Sequence, residues 1–159
     1  MAPRCYNRVV PTIDRTGSPG PVRGRCHCGN LSLTYTTSIP TAELPVRACA
    51  CSFCRARRLR WTTDAQGHVD IVVADRGELS RYRFGTETAD FLVCRRCGGV
   101  LAAVSHGDEP RAVINADALA CAAELPDAVI KDFDGEPLGE RLARRERVWT
   151  PASIRIVSG

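Results

Sequence analysis

Arg47-Ala48-Cys49-Ala50-Cys51-Ser52-Phe53-Cys54 places three cysteines within six positions, in a C-x-C-x-x-C pattern. Two further pairs flank it, Cys26-His27-Cys28-Gly29 before and Cys94-Arg95-Arg96-Cys97-Gly98-Gly99 after. Closely spaced cysteines are how a chain brings several thiolates to one zinc ion. One such pair is weak evidence, but three clusters in 159 residues are strong evidence. A structural zinc takes four ligands, whereas a catalytic zinc typically has three and keeps one open position. The seven clustered cysteines divide naturally as four plus three. The expectation is a closed site of Cys26, Cys28, Cys94 and Cys97 and an open site of Cys49, Cys51 and Cys54. Spacing leaves one alternative open, in which the triplet borrows Cys26 or His27.

Two plainer explanations compete with zinc. Cysteine is often a small buried hydrophobe, and this reading suits the isolated Cys5 and Cys121. A disulfide framework is the other. It is disfavoured by the odd total of nine cysteines, by an N-terminus without an apolar signal core, and by a chain long enough to build its own core. The glycines after the outer pairs argue for metal knuckles, whose tight turns call for positive φ.

Hydrophobic residues make up 44% of the chain and the formal charge is +4, too mild to require nucleic acid. Nearly all the positive charge is arginine, Lys131 being the sole lysine. Arginine favours planar recognition of carboxylates and phosphates. No apolar run approaches the ~20 residues of a membrane helix, so no membrane partner is expected. Many thiols without a signal sequence point to a reducing cytoplasm.

Residues 1–21, broken by Pro11, Gly17, Pro19, Gly20 and Pro21, read as a flexible lead-in to a single domain over 22–159. Leu31 to Thr36 alternates apolar and polar residues, as a half-buried strand does. Further strands are expected over Val69–Val73, Leu79–Phe84, Asp90–Cys94 and Ala112–Ile114. Val100–Val104 is an apolar run after the second knuckle. Ala116–Glu124 suits a short helix or a turn. Leu138–Val148 suits a helix, with Leu138 and Leu142 on one face and Pro151 as its stop. Many short strands with glycine turns and few helices predict a mainly β domain.

Gly24-Arg25-Cys26-His27-Cys28-Gly29, Cys49-Ala50-Cys51-Ser52-Phe53-Cys54-Arg55, Tyr82-Arg83-Phe84 and Cys94-Arg95-Arg96-Cys97-Gly98 carry a resemblance. Over about residues 22–115 the chain resembles the glutathione-dependent formaldehyde-activating enzyme family, which includes the domain of centromere protein V. The resemblance implies a β-tent of small coiled sheets pinned by zinc, with a short C-terminal helix here. It implies the same metal partition, with the outer pairs structural and the triplet catalytic. The activity implied is that of an S-(hydroxymethyl)glutathione synthase, a carbon–sulfur lyase read in reverse, acting on adducts of an aldehyde with glutathione or another small thiol. The tail, with Asp134-Gly135-Glu136 and Arg144-Arg145 before Trp149, resembles uncharacterised members only. Two departures stand out. Ala50 occupies a position that is often histidine in the family, and Arg57, Arg58 and Leu59 replace small residues. A bulkier, more positive pocket is therefore expected.

A thiol held at the open zinc would be deprotonated at neutral pH, and the metal would polarise a carbonyl oxygen. The second zinc, with only three thiolates, is expected to be the labile one. Arg55, Arg57 and Arg58 are candidates to bind an anionic thiol, with Arg47 as a further neighbour in sequence. His27 reads as a knuckle spacer, and His68 and His106 as surface loop residues. The rival class is a non-catalytic zinc module for protein or nucleic acid. Only 6% of residues are aromatic, so stacking platforms for bases are few and nucleic acid is not expected.

Overall fold

The computed structural model of the chain describes residues 20–158. The expected lead-in over 1–21 falls almost wholly outside the described residues, as does Cys5. The fold is mainly β and its sheet does not close on itself. Strands β1 (Val22–Arg25) and β2 (Leu31–Thr36) form an antiparallel hairpin around the first knuckle. β3 (Val46–Cys49) runs into the short helix α1 (Ser52–Ala56), and β4 (Arg60–Thr62) returns antiparallel to β3. β5 (His68–Asp75) pairs with β2. β6 (Leu79–Tyr82), β7 (Ala89–Cys94), β8 (Val100–Ser105) and β9 (Arg111–Asn115) follow as an antiparallel meander. β10 (Val129–Lys131) adds to β3 in parallel. Helix α2 (Leu138–Val148) leads into β11 (Thr150–Ser158).

Alternation in sequence becomes alternation in burial. Leu31, Leu33 and Tyr35 of β2 face inward with Val69, Ile71 and Val73 of β5. Each such side chain contributes roughly 1.5–3 kcal/mol by leaving water. Val100-Leu-Ala-Ala-Val104 does not alternate because β8 is covered on both faces. Leu101, Ala102 and Val104 join the core beneath β2 and β5. Val100 and Ala103 join a second core with Phe53, Trp61, Val113 and Trp149. β8 and β9 thus form the wall between two cores. Cys26 and Cys94 belong to the first, and Cys54 to the second.

Some expectations need correcting. Ala116–Glu124 is neither one helix nor one turn but two 3-10 turns, Ala116–Ala118 and Ala122–Glu124. Pro151 does not stop α2, which ends at Val148. It sits inside β11, opposite Arg111 of β9. β11 then pairs in parallel with β5 from Ala152 onward. The inward face of α2 is charged. Leu138 and Leu142 are 48% and 38% exposed, while Arg145 is only 8% exposed. Arg141, Arg144 and Arg145, at the i, i+3, i+4 spacing of one helix face, are the positions α2 turns inward.

Candidate metal centres and active site

The two outer cysteine pairs sit on matching knuckles. After β1, the Cys26 N–H donates to the Leu31 carbonyl at 2.9 Å and the Gly29 N–H to the Cys26 carbonyl at 3.0 Å. After β7, the Cys94 N–H donates to the Gly99 carbonyl at 2.9 Å and the Gly98 N–H to the Cys94 carbonyl at 2.8 Å. Gly29 and Gly98 take φ of +84° and +73°, a region that side chains other than glycine enter at a cost. A Cβ on Gly99 would lie 3.1 Å from the Cys26 Cβ, so the knuckles pack too closely for a larger residue. All four sulfurs lie within 4.8 Å of one another. The Cys26–Cys28 and Cys28–Cys94 separations are 3.8 and 3.5 Å. A regular tetrahedron with ~2.3 Å zinc–sulfur bonds has edges of about 3.8 Å. The donor set therefore fits a four-thiolate zinc. Burial pushes the Cys94 thiol up to about 12, a penalty that a divalent cation would offset.

The triplet forms where β3 meets α1. Cys49 ends the strand, Cys51 caps the helix, and Cys54 lies within it. The helical turn brings Cys54 back toward Cys51, whose sulfur accepts from the Cys54 N–H at 3.5 Å. The Trp61 Nε1–H donates to the Cys54 sulfur at 3.3 Å. These three sulfurs also lie within 4.8 Å of one another. A hydrogen bond from Cys54 draws Cys49 down to about 5, while Cys54 is pushed up by the same pairing and by burial. Three thiols crowded in this way, with two N–H groups aimed at sulfur, suit a cation with one position left for a ligand. His27 belongs to neither group of sulfurs.

A cavity of about 590 Å³ opens over the triplet, and Cys49, Cys51 and Cys54 all line it. One side is apolar, built by Trp61, Phe84, Phe91 and Trp149. The other side is cationic. Arg144 grips Glu136 through two bonds of 2.7 and 2.8 Å, and its guanidinium lies 3.8 Å from the Phe133 ring centre. Arg145 stacks 4.8 Å from the Trp149 ring centre and donates to the Thr88 carbonyl and hydroxyl. Arg47 reaches in from β3, its guanidinium 5.4 Å from the Phe133 ring centre. Burial, then the neighbouring Arg144, lowers Arg47 to about 10, so it stays charged at neutral pH.

A family model described as glutathione-dependent formaldehyde-activating enzyme matches residues 21–133. The chain belongs to that family. A search of curated proteins returns no match. Among solved structures, a Rhodobacter sphaeroides protein determined as a structural-genomics target is similar at 26% identity with a TM-score of 0.53. The similarity covers 69% of this chain and 99% of that one. The family match therefore contains both cysteine groups but stops before α2 and β11.

Relative to the family's motifs, the basic run after Cys54 behaves differently from the sequence expectation. Arg55 lines the cavity. Arg57 instead lies 4.1 Å over the Phe53 ring and donates to its carbonyl. Arg58 is exposed at φ +52°, in the turn that ends α1. Leu59 is buried in the second core. Neither Arg57, Arg58 nor Leu59 is among the residues lining the cavity of this family member. The positive charge expected there comes from Arg55 together with Arg47, Arg141, Arg144 and Arg145. The i, i+3, i+4 spacing of the three tail arginines was the readable signal. A search for apolar periodicity passes over it because the inward stripe is charged.

Proposed function

We propose that this family member joins a small thiol to an aldehyde, and cleaves the adduct, as a zinc-dependent carbon–sulfur lyase resembling S-(hydroxymethyl)glutathione synthase. Cys49, Cys51 and Cys54 would hold the catalytic zinc, and Cys26, Cys28, Cys94 and Cys97 the structural one. The observation that carries this reading is that the triplet lines the 590 Å³ cavity and none of the other four clustered cysteines does. When bound, zinc would supply a Lewis acid that favours the thiolate form of the substrate and withdraws electrons from a carbonyl. In the reaction, the sulfur lone pair attacks the aldehyde carbon and the C=O π pair moves to oxygen, which takes a proton. Cleavage reverses each movement. The chain's own residues set the conditions. Trp61 fixes the Cys54 sulfur, Arg47 supplies positive charge beside an electron-rich centre, and the Phe84–Phe91–Trp149 side limits water.

The test is exchange of ¹³C-formaldehyde with glutathione, followed by NMR on zinc-loaded protein. Wild type should accelerate exchange and carry two zinc ions per chain. Cys51→Ser should carry one and exchange at the rate seen without protein. If wild type fails to accelerate exchange with every thiol tried, the chain is a binding module and not this enzyme.

A further inference from the structure

Five nitrogen atoms are buried without a hydrogen-bond acceptor around the same cavity: Arg47 Nε, Arg141 Nε, Arg144 Nη1, Arg145 Nε and Trp149 Nε1. Buried donors are nearly always paired, and each one left unpaired costs free energy. Arg141 Nε approaches Glu136 only to 3.7 Å, an ion pair without a hydrogen bond. Elsewhere among the described residues, the only other side-chain atoms in this condition are two hydroxyls, of Tyr35 and Thr62. The unpaired nitrogens are therefore concentrated in one place, and that place is a cavity.

Charge points the same way. Five arginines line the cavity against two carboxylates, Asp134 and Glu136, an excess of three positive charges. Three thiolates on one divalent zinc would remove one of these, leaving an excess near two. Glu136 is already counted in this excess, and its two oxygens are engaged by Arg144. Guanidinium groups match carboxylate and phosphate oxygens in plane and distance.

We infer that Arg47, Arg141, Arg144, Arg145 and Trp149 form an oxyanion subsite that selects substrates bearing a carboxylate or phosphate on the arm away from the reacting sulfur. Four of these residues, Arg141 to Trp149, lie beyond the segment that matches the family. α2 is thus the specificity element laid over a family reaction centre. The inference rests on the proposed thiol chemistry only for which end of the substrate meets the cysteines. The Arg144–Glu136 pair holds one guanidinium in reserve. Removing the carboxylate would free two more donors for a ligand.

Calorimetric titration of the zinc-loaded full chain tests this with 2-mercaptoethanol, 3-mercaptopropionate and mercaptosuccinate, thiols with no, one and two carboxylates. Wild-type affinity should rise along the series by about tenfold per carboxylate, the scale of one charge-assisted contact. Arg144→Gln should flatten the series. Glu136→Gln should tighten mercaptosuccinate binding severalfold even where it lowers the melting temperature, an outcome that a merely structural role does not produce. Succinate and inorganic phosphate, which lack a thiol, should bind as well, and the tighter of the two identifies which oxyanion the subsite takes. Their binding without formaldehyde exchange would remove the proposed reaction and keep the subsite. A flat thiol series in wild type, or weaker binding in Glu136→Gln, would overturn the subsite.

Discussion

Asp90 is a buried carboxylate that ties the cavity rim to the sheet. It accepts from Arg83 Nε at 2.5 Å and Arg81 Nη1 at 3.1 Å, and lies 3.1 Å from His106 Nε2. Between these partners runs the turn carrying Phe84, Thr86 and Thr88, which line the cavity. Burial raises the Asp90 carboxyl, but the bonds from Arg83, Arg81 and His106 outweigh it and hold the group below its ordinary value. A depressed folded-state pKa means the stabilisation is complete above the unfolded value of about 3.9 and fades as pH falls through the folded one. Asp90→Asn should cost about 1–2 kcal/mol at pH 7, since both arginines are half exposed and screened. The gap between wild type and variant should shrink as denaturant midpoints are taken toward pH 3. A gap that stays constant with pH would assign the cost to packing. His106 read as a surface loop residue, and it does follow β8 in a loop, but the antiparallel pairing of β8 with β7 brings its ring to Asp90. No local pattern announces such a contact.

Among the elements, α2 separates what the sequence reveals from what it conceals. Its bounds, Leu138 to Val148, are legible from composition alone. Its orientation is not. Leucine at 138 and 142 ordinarily marks the buried face, yet here burial of Arg145 is supported by Thr88 and Trp149, and burial of Arg144 by Glu136 and Phe133. Tertiary partners that do not exist until the chain folds overrode the local pattern. Leu142→Gln should therefore change stability by less than about 0.5 kcal/mol. Arg145→Ala should cost about 2 kcal/mol or more, because it strands the Thr88 acceptors and empties a stacked site. Urea unfolding of both variants distinguishes the faces, and a larger loss in Leu142→Gln would restore the leucine face as the inner one. The strands show the same division. β2 and β5 are readable from alternation, while β10, three exposed residues, and β11, which carries a proline, give no comparable signal. The knuckles were fully legible because short spacing and glycine dictate geometry without distant help.

At the scale of the whole molecule, the cysteine quartet clamps segments far apart in sequence, whereas the triplet spans six positions between β3 and α1. A zinc ion held by the quartet would feed directly into folding free energy. We propose that residues from 22 onward act as one folding unit, since both cores share β8 and β9. Wild type should melt in one transition. Cys94→Ser should lose about 4 kcal/mol or more, as metal loss from a folding site does. Cys54→Ser should melt near wild type with one zinc fewer by elemental analysis. Equal melting temperatures would dissolve the distinction between the two centres. β11 adds a consequence of another kind. It lies beside β5 and also meets β9, and so links the two halves of the sheet, Ala152 against Val69 and Thr150 against Ala112. It is also made after every strand it joins. A nascent chain can close its first knuckle early, but the sheet stays divided until residues 150–158 have left the ribosome. During that interval β5 waits with an unpaired edge, the kind of exposed edge that invites aggregation.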